Sequence, residues 1–530
     1  MVRVLEIVLD IVYPAACNES VDTRHPGDRT AAVLARELAA ALPQLVALSA
    51  ESECVTAVTF DRDAALARAG WRVAVETRGD GNRVVVSNCR ITTPGITART
   101  AVFDAPLDAN GFALASLDAA PVLFRHALAA AGEPVPAAAL CGERCRWQWM
   151  RDGIEVELVL DAGLHDPNQP PDETRCLHEL RVRAPWPEEA DAAPVADALF
   201  ACAHDLVDAA PASLPAFVRI NDVLDRMAAG CLAGDGDAVH AEPVDLGGVD
   251  TAQGALVAIA RNITNQWLGN DAGVRDSAKT EFIHQMRVSQ RRLRTALRLF
   301  SGWQDDAWAT RIMPDLKWLG SMLGDARDRD VFVDSTLPAL VDADTEAARW
   351  DALRAQADAM RLAARARARA ALASPRYAHL TLAWLQWLSV LAQRDSEREA
   401  HARSLHKHAA KQVRRYYARL AGMQKLTAID EASRHRARIN AKYLRYALEF
   451  FAPITSRRTR TETTRTLARL QAVLGDGNDA AVALRFLEAM DVEPYQLGFA
   501  HGWCEAVKRC SAKEGERLLR ELRKPKVQGG

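Results

Sequence analysis

Two stretches of this 530-residue chain carry the same cationic spacing, HQMRVSQRRLR at 284–294 and HRARINAKYLR at 435–445. Each reads His, two residues, Arg, three residues, a cation, two residues, Arg. On a helix, positions three and four apart are neighbours, so His284, Arg287, Arg291, Arg294 and Arg298 form one stripe and His435, Arg438, Lys442 and Arg445 another. Glu449 stands where the first copy has Arg298, which shortens the second stripe. Like charges so placed cost a helix about 0.2–0.5 kcal/mol per pair, and something must offset that cost. Arg presents a planar fork of donors suited to phosphate oxygens. The chemistry open to such a ladder is to hold a linear polyanion whose own charges repeat closely. The plainer alternative is a solvated face, or one paired with Asp325, Asp328, Asp476 and Asp479; repetition of the whole pattern weighs against it.

The elements that must present these stripes repeat too. A shift of 151 residues takes His284 to His435, Arg287 to Arg438, Arg291 to Lys442, Arg294 to Arg445, Gly324 to Gly475 and Asp328 to Asp479. Two LGD segments, LGDARD and LGDGND, therefore follow their basic helices at one distance, which predicts two homologous helical bundles about a pseudo-two-fold axis. Met286, Leu293, Leu297 and Phe300 are the expected buried face of the first basic helix, and Ala437, Leu444, Leu448 and Phe451 that of the second. Further cations support a polyanion surface: Lys407, Lys411, Arg414, Arg415 and Arg419 on one helix, Arg361, Arg365 and Arg369 on another, and Arg465 with Arg469 before the second LGD.

The formal net charge of −2 conceals a division. Residues 1–250 hold 20 Arg, no Lys and 38 acidic residues, a net of −18, while residues 251–530 carry +16. A basic half implies an anionic partner, and an acidic half can shield it from indiscriminate binding. The first half reads as strands, in VRVLEIVLDIV, WRVAVETR, NRVVVSNCRI, RCRWQWM, IEVELVLD and LHELRVRA, with helices near 29–42 and 188–208. A Gly- and Asp-rich stretch at 228–248 reads as a linker, and the remainder is helical in period. Glu6 and Asp10 interrupt the opening apolar run, no uncharged run spans a bilayer, and ten scattered cysteines form neither a zinc spacing nor a disulfide framework. A cytoplasmic protein is expected.

The two His-x-x-Arg-x-x-x-cation-x-x-Arg helices and the two LGD segments, in that order, resemble the CHAD domain, the conserved-histidine α-helical domain. Asn478 and Ala481 stand where the first copy has Arg327 and Asp330. The resemblance implies a pseudosymmetric helical domain that binds inorganic polyphosphate and targets proteins to polyphosphate granules. FDRDAALARAGW and IEVELVLD are similar to segments of the CYTH, or triphosphate tunnel, domain that often precedes it. That family implies an eight-stranded tunnel with a Glu-x-Glu-x-Lys opening, Arg and Lys rungs for triphosphate and Glu pairs for Mg²⁺ or Mn²⁺. Here the opening reads Glu6, Val8, Asp10, the rung positions read Ala74, Glu76 and Asn88, and Arg181 and Arg183 follow Glu179 where acids belong. Glu155 and Glu157 remain as a candidate metal pair, or as an acidic strand face.

The expected architecture is thus α+β and multidomain: a degenerate antiparallel β tunnel over 1–215, a connector at 216–249, and an all-α CHAD domain of two related bundles over 250–525. The expected function is noncatalytic polyphosphate binding, granule-associated, without catalytic residues, metal or cofactor. His284, Arg287, Arg291, Arg294, Arg298, His435, Arg438, Lys442, Arg445, Lys407, Lys411, Arg414 and Arg415 are the expected contacts, and the N-terminal domain is left for other granule-associated partners. The alternatives are a metal-dependent triphosphatase or polyphosphatase in the first half, and a charge-driven nucleic-acid binder. The latter is disfavoured because the stripes lack interleaved aromatics.

Overall fold

A computed structural model describes residues 3–11, 31–49, 51–78, 81–108, 111–168, 177–187, 191–210, 215–228, 236–306, 308–394, 404–423 and 425–528. The chain forms two compact units. One comprises Met1–Asp237, Arg275–Ser277 and Leu372–Gln393; the other comprises Ala238–Val274, Ala278–Ala371 and Arg394–Gly530.

The first unit is built on ten antiparallel strands: β1 (Arg3–Ile11), β2 (Val46–Ala47), β3 (Glu53–Asp61), β4 (Trp71–Arg78), β5 (Gly81–Thr93), β6 (Ile96–Pro106), β7 (Val135–Arg151), β8 (Ile154–His165), β9 (Leu177–Pro185) and β10 (Ala216–Arg219). Because β1 pairs with β6 through residues 3–6 and with β9 through residues 4–11, eight strands close in the order β1-β6-β5-β4-β3-β7-β8-β9. The period of two along β1 sends Leu5, Ile7 and Leu9 to one face, at most 1% exposed, and Glu6, Val8 and Asp10 to the other. The apolar face is covered by the helix Ala192–Ala209; the opposite face lines the closed sheet.

Four strands escaped the sequence reading: β2 and β10 are only two and four residues long, and β3 (ECVTAVTFD) and β6 (ITARTAVFDAP) are rich in Ala and Thr with weak alternation. The expected connector at 216–249 also differs from what is found. Residues 216–219 pair with β1, and the helix Val223–Ala228 follows at once. Residues 229–235 of the expected linker lie outside the described residues. Residues 372–393, expected within the helical domain, group with this first unit. One contact there is specific: Gly95 sits in a turn at φ +83°, and a Cβ on it would collide with Leu385.

In the second unit the 151-residue shift holds element by element. The helix Thr280–Leu299 recurs as Glu431–Phe450, the 3₁₀ turn Ser301–Trp303 as Ala452–Ile454, and the π turn Trp308–Ile312 as Thr459–Thr463. The helix Met313–Val331 and the helix Thr464–Glu488 also begin at matching positions. These are termed the first and second basic helices and the first and second motif helices. Both predicted buried faces are buried, with Met286, Leu293, Leu297, Phe300, Ala437, Leu444, Leu448 and Phe451 at most 2% exposed.

The basic helices also touch in a self-matching way. Arg292 donates to Glu449 at 2.7 Å, and Arg298 donates to Tyr443 at 3.3 Å. Position 292 corresponds to 443 and position 298 to 449, so one contact is the other turned about an axis, the signature of a two-fold relation.

Candidate functional site

On the first basic helix the apolar stripe docks inward and the cations are carried on its flank. His284, Arg287 and Arg291 are half-buried, whereas Arg294 and Arg298 are exposed. Their guanidinium groups lie over a gap in the first motif helix made by two glycines one turn apart. A Cβ on Gly320 would collide with Arg294 Nη2, and one on Gly324 would lie 3.1 Å from Arg287 Nη2. The G of LGD thus seats an arginine. In the second copy Gly475 has nothing within 4 Å, and Gln471 replaces Gly320.

The second basic helix begins at Asp430, whose side chain accepts from Ser433 N at 2.6 Å and caps the first turn. His435 is exposed; Arg438, Lys442 and Arg445 are half-buried. Arg438 donates to Asn478 at 3.0 Å, and the Arg445 guanidinium lies 4.9 Å from the Tyr446 ring. His435, Arg438 and Lys508 line a shallow, open cleft at this end.

Among the described residues, none of the nine stripe cations forms an ion pair. Arg287 Nη1, Arg291 Nε, Arg438 Nε and Arg445 Nε are buried without a hydrogen-bond partner. Crowding registers in their protonation. Burial, followed by Arg294 and Arg291, pushes Arg287 down to about 10. Burial, Arg438, Arg291 and Arg287 push Lys442 down to about 7. Burial and Arg327 take His284 to about 4, and burial with Arg438 and Lys442 lowers His435. Because cations of the first helix act on Lys442 of the second, the structure brings both stripes together in one field.

Among the described residues, the acids act on the stripes without forming ion pairs to them: Asp328 on Arg287 and Arg438, and Asp479 on Arg438 and Lys442. Asp325 pairs with Arg329 and Arg367, at 3.1 and 2.7 Å. Burial raises Asp328 and Asp476, with Asp479 adding to both.

Other cations fare differently. Lys407, Lys411, Arg414 and Arg415 are exposed on the helix Leu405–Ala421. Arg415 and Arg419 flank the Tyr416 ring at 5.8 and 5.5 Å. Tyr416 meets Tyr443, with centroids 5.3 Å apart, and Arg298 lies 5.0 Å over Tyr443. Arg415 is thereby joined to the first stripe through two tyrosines; the stripes themselves carry no aromatic, but Tyr443 of the second basic helix stands against Arg298 of the first. The cations at 361, 365 and 369 are engaged within the fold: Arg361 with Asp334 at 2.9 Å, Arg365 with buried Asp330 at 2.8 Å, and Arg369 with Val274 O at 3.4 Å.

Sequence reasoning also missed Arg292. It is fully buried and donates to Glu449, Gln266 and Asn262 at 2.7–2.8 Å. It stands off both the apolar and the cationic stripe of its helix, so helical periodicity gave no signal for it.

Among the described residues, seven arginines and seven acids within the closed sheet and the helix Val223–Ala228 beside it pair with one another. Asp222 receives Arg72 at 2.6 Å and Arg99 at 2.9 Å, Arg99 also meets Glu6 at 2.8 Å, and Arg72 reaches Asp225. Asp10 is held by Arg219 and Arg226, at 2.8 and 2.5 Å, and Glu157 by Arg183 at 2.8 Å. Asp161 is shared by Arg144 and Arg181, and Glu179 lies beside Arg181 and Arg226, at 3.5 and 3.8 Å. Arg72 shares its strand face with Ala74 and Glu76, so a rung cation is present two residues from the expected place. Asn88 is on the other face, paired with Trp71 and donating to Gly70 O at 3.2 Å. Glu155 is exposed and Glu157 is committed to Arg183. Among the described residues, no three His, Cys, Asp or Glu side chains converge as a metal ion would require, and no helix is long and apolar enough to cross a membrane.

Comparison with known proteins follows this geometry. Residues 258–488 match the family model of the CHAD domain. The chain is similar to a crystallised CHAD domain from the plant Ricinus communis at 30% identity, covering 55% of this chain and 99% of that one, with a TM-score of 0.48. PptA from Streptomyces chartreusis shares 19% identity over 52% of this chain and 99% of its own, with a TM-score of 0.38. A putative adenylyl cyclase from Hippeastrum, described as having a dominant triphosphatase activity, shares 13% identity over 43% of this chain and 96% of its own, with a TM-score of 0.27. No curated protein matches the chain.

Proposed function

Since the chain belongs to the CHAD family through residues 258–488, we propose that it is a noncatalytic receptor for inorganic polyphosphate, held along both basic helices and serving to place the protein on polyphosphate granules. One observation carries this reading. Seven arginines within the closed sheet have carboxylate partners, whereas the seven Arg and Lys side chains of the two repeated stripes crowd together with no ion pair among the described residues. Charges gathered at such cost and left uncompensated are arranged for an anion that arrives from solution. Closely spaced guanidinium forks favour a ligand with one charge on every link.

A hydrolase in the first unit would need clustered carboxylates for a metal and unpaired cations for a triphosphate. The ion pairs described above commit both sets to each other, which supports a noncatalytic role. The test is titration of the full chain with long-chain polyphosphate across a salt series, beside assay of phosphate release from tripolyphosphate with Mg²⁺ or Mn²⁺. Tight binding that weakens steeply with salt, without turnover, is expected. Absence of binding at low salt overturns the receptor reading. Turnover abolished by Glu155→Ala with Glu157→Ala would move the activity to the first unit.

A further inference from the structure

The duplication departs from itself at its centre: the position that is Arg291 in the first copy is Lys442 in the second. Lys442 is half-buried and makes no ion pair among the described residues. Arg438 and His435 face it from its own helix, and Arg287 and Arg291 from the first basic helix. The carboxylates behind this group are Asp479, which acts on Lys442, and Asp328, which acts on Arg287 and Arg438.

Resting on the receptor reading above, we propose that Lys442 is a specificity-determining residue, taking up a proton when a dense polyphosphate chain lies along the two packed basic helices but not when a sparser polyanion such as single-stranded DNA docks there. The argument turns on the difference between the two side chains. Arg keeps its charge at any working pH, whereas a buried amine surrounded by cations can release its proton and recover it. With burial and three guanidinium groups holding it near 7, Lys442 is largely neutral in the free protein at pH 8. Phosphate oxygens brought within hydrogen-bond distance favour the charged form and return the amine toward its ordinary value, about 10.4. A P–O–P chain brings one charge per link with no sugar between, so several reach Lys442 and the guanidinium groups around it together. A nucleic-acid strand separates its phosphates and satisfies the exposed cations first.

The sign follows. The bound state keeps the proton to higher pH than the free state, so binding takes up protons above about pH 7 and affinity falls as pH rises there. Below pH 7 Lys442 is charged in both states and adds no slope.

Calorimetric titration of the full chain at pH 8, in two buffers of different ionisation enthalpy, counts the protons. Long-chain polyphosphate should be bound with uptake approaching one proton from this site, and affinity should fall by up to about tenfold per pH unit between pH 7.5 and 9. Lys442→Arg restores the residue of the first copy; it should abolish this uptake and flatten the profile. Lys442→Gln should also abolish the uptake while binding more weakly, and circular dichroism checks that both variants keep their helices. A single-stranded oligonucleotide should bind without this uptake or not bind at all. Equal uptake with DNA, or uptake unchanged in Lys442→Arg, overturns the inference. Failure of the wild type to bind polyphosphate at pH 6.5, where Lys442 is charged, would instead remove the receptor reading beneath it.

Discussion

At the residue scale, similar side chains take opposite roles according to their surroundings. Arg292 and Arg291 are adjacent, yet Arg292 is buried on three acceptors while Arg291 keeps a buried Nε without one. Arg292→Ala strands Glu449, Gln266 and Asn262 together, and should cost about 3–5 kcal/mol of stability in denaturant unfolding, the range for breaking a buried pair. A loss under about 1 kcal/mol would show that the contact is dispensable. The two LGD glycines offer a paired test. Gly324→Ala places a methyl 3.1 Å from Arg287 Nη2 and should weaken polyphosphate binding several-fold without loss of helix. Gly475→Ala meets nothing within 4 Å and should only stabilise its helix, by about 0.5–1 kcal/mol. Equal effects on binding would mean that the first-copy glycine is not a seat.

At the scale of elements, the question is whether two helices make one site. Cations of the first helix depress Lys442 on the second, so both stripes act on shared space. Arg287→Ala with Arg291→Ala, and Arg438→Ala with Lys442→Ala, should each weaken long-chain binding. The scale is about 1.5–3 kcal/mol for every charge-assisted contact that is desolvated, and less for an exposed one. A chain spanning both helices should lose more than a short oligophosphate does, because its second engagement is intramolecular. Titrating both double mutants with long and short chains decides the matter. Unchanged long-chain affinity after loss of the second stripe would reduce that stripe to a relic of duplication.

At the scale of the molecule, charge is used in two ways: it is paired inside the closed sheet of the first unit, and in the second unit the two basic stripes stay without ion pairs among the described residues while other cations, such as Arg361 and Arg365, are paired. Burial works against the ionised forms of Asp10 and Asp161, but Arg226 and Arg219 hold the first below the ordinary carboxylate range, and Arg181 and Arg144 the second. Their contribution is present above the unfolded value, about 3.9, and is lost as pH falls through the folded one. Glu179 runs the other way, pushed up to about 8 by burial and Asp222. Its contribution is present below about pH 4.3 and is lost as pH rises toward 8. His178, lowered to about 4 by burial, opposes that slope only up to about pH 6.5. The closed sheet should therefore lose stability, by about 2 kcal/mol, between pH 6.5 and 8, and level off above. Hydrogen exchange of β1, β8 and β9 measures this, and Glu179→Gln should remove the slope. A slope that survives the substitution belongs to another group.

Much of this could be read from residue order alone. Periodicity separates a strand-rich first half from a helical second half, and the 151-residue shift predicts both basic helices, their buried faces and the second copy's register, since these are local patterns repeated in sequence. Composition shows the opposed charges of the halves but not their disposition, because an ion pair such as Arg72 with Asp222 joins positions 150 residues apart. Tertiary structure alone decides that β10 and the helix after it belong to the first unit, and that Arg361 and Arg365 are held by carboxylates while the stripe cations form no ion pair among the described residues. It alone makes Arg292 structural and leaves Lys442 without an ion pair among the described residues. Whether a charge is compensated depends on what the fold brings within about 4 Å of it, and that distance has no counterpart along the chain.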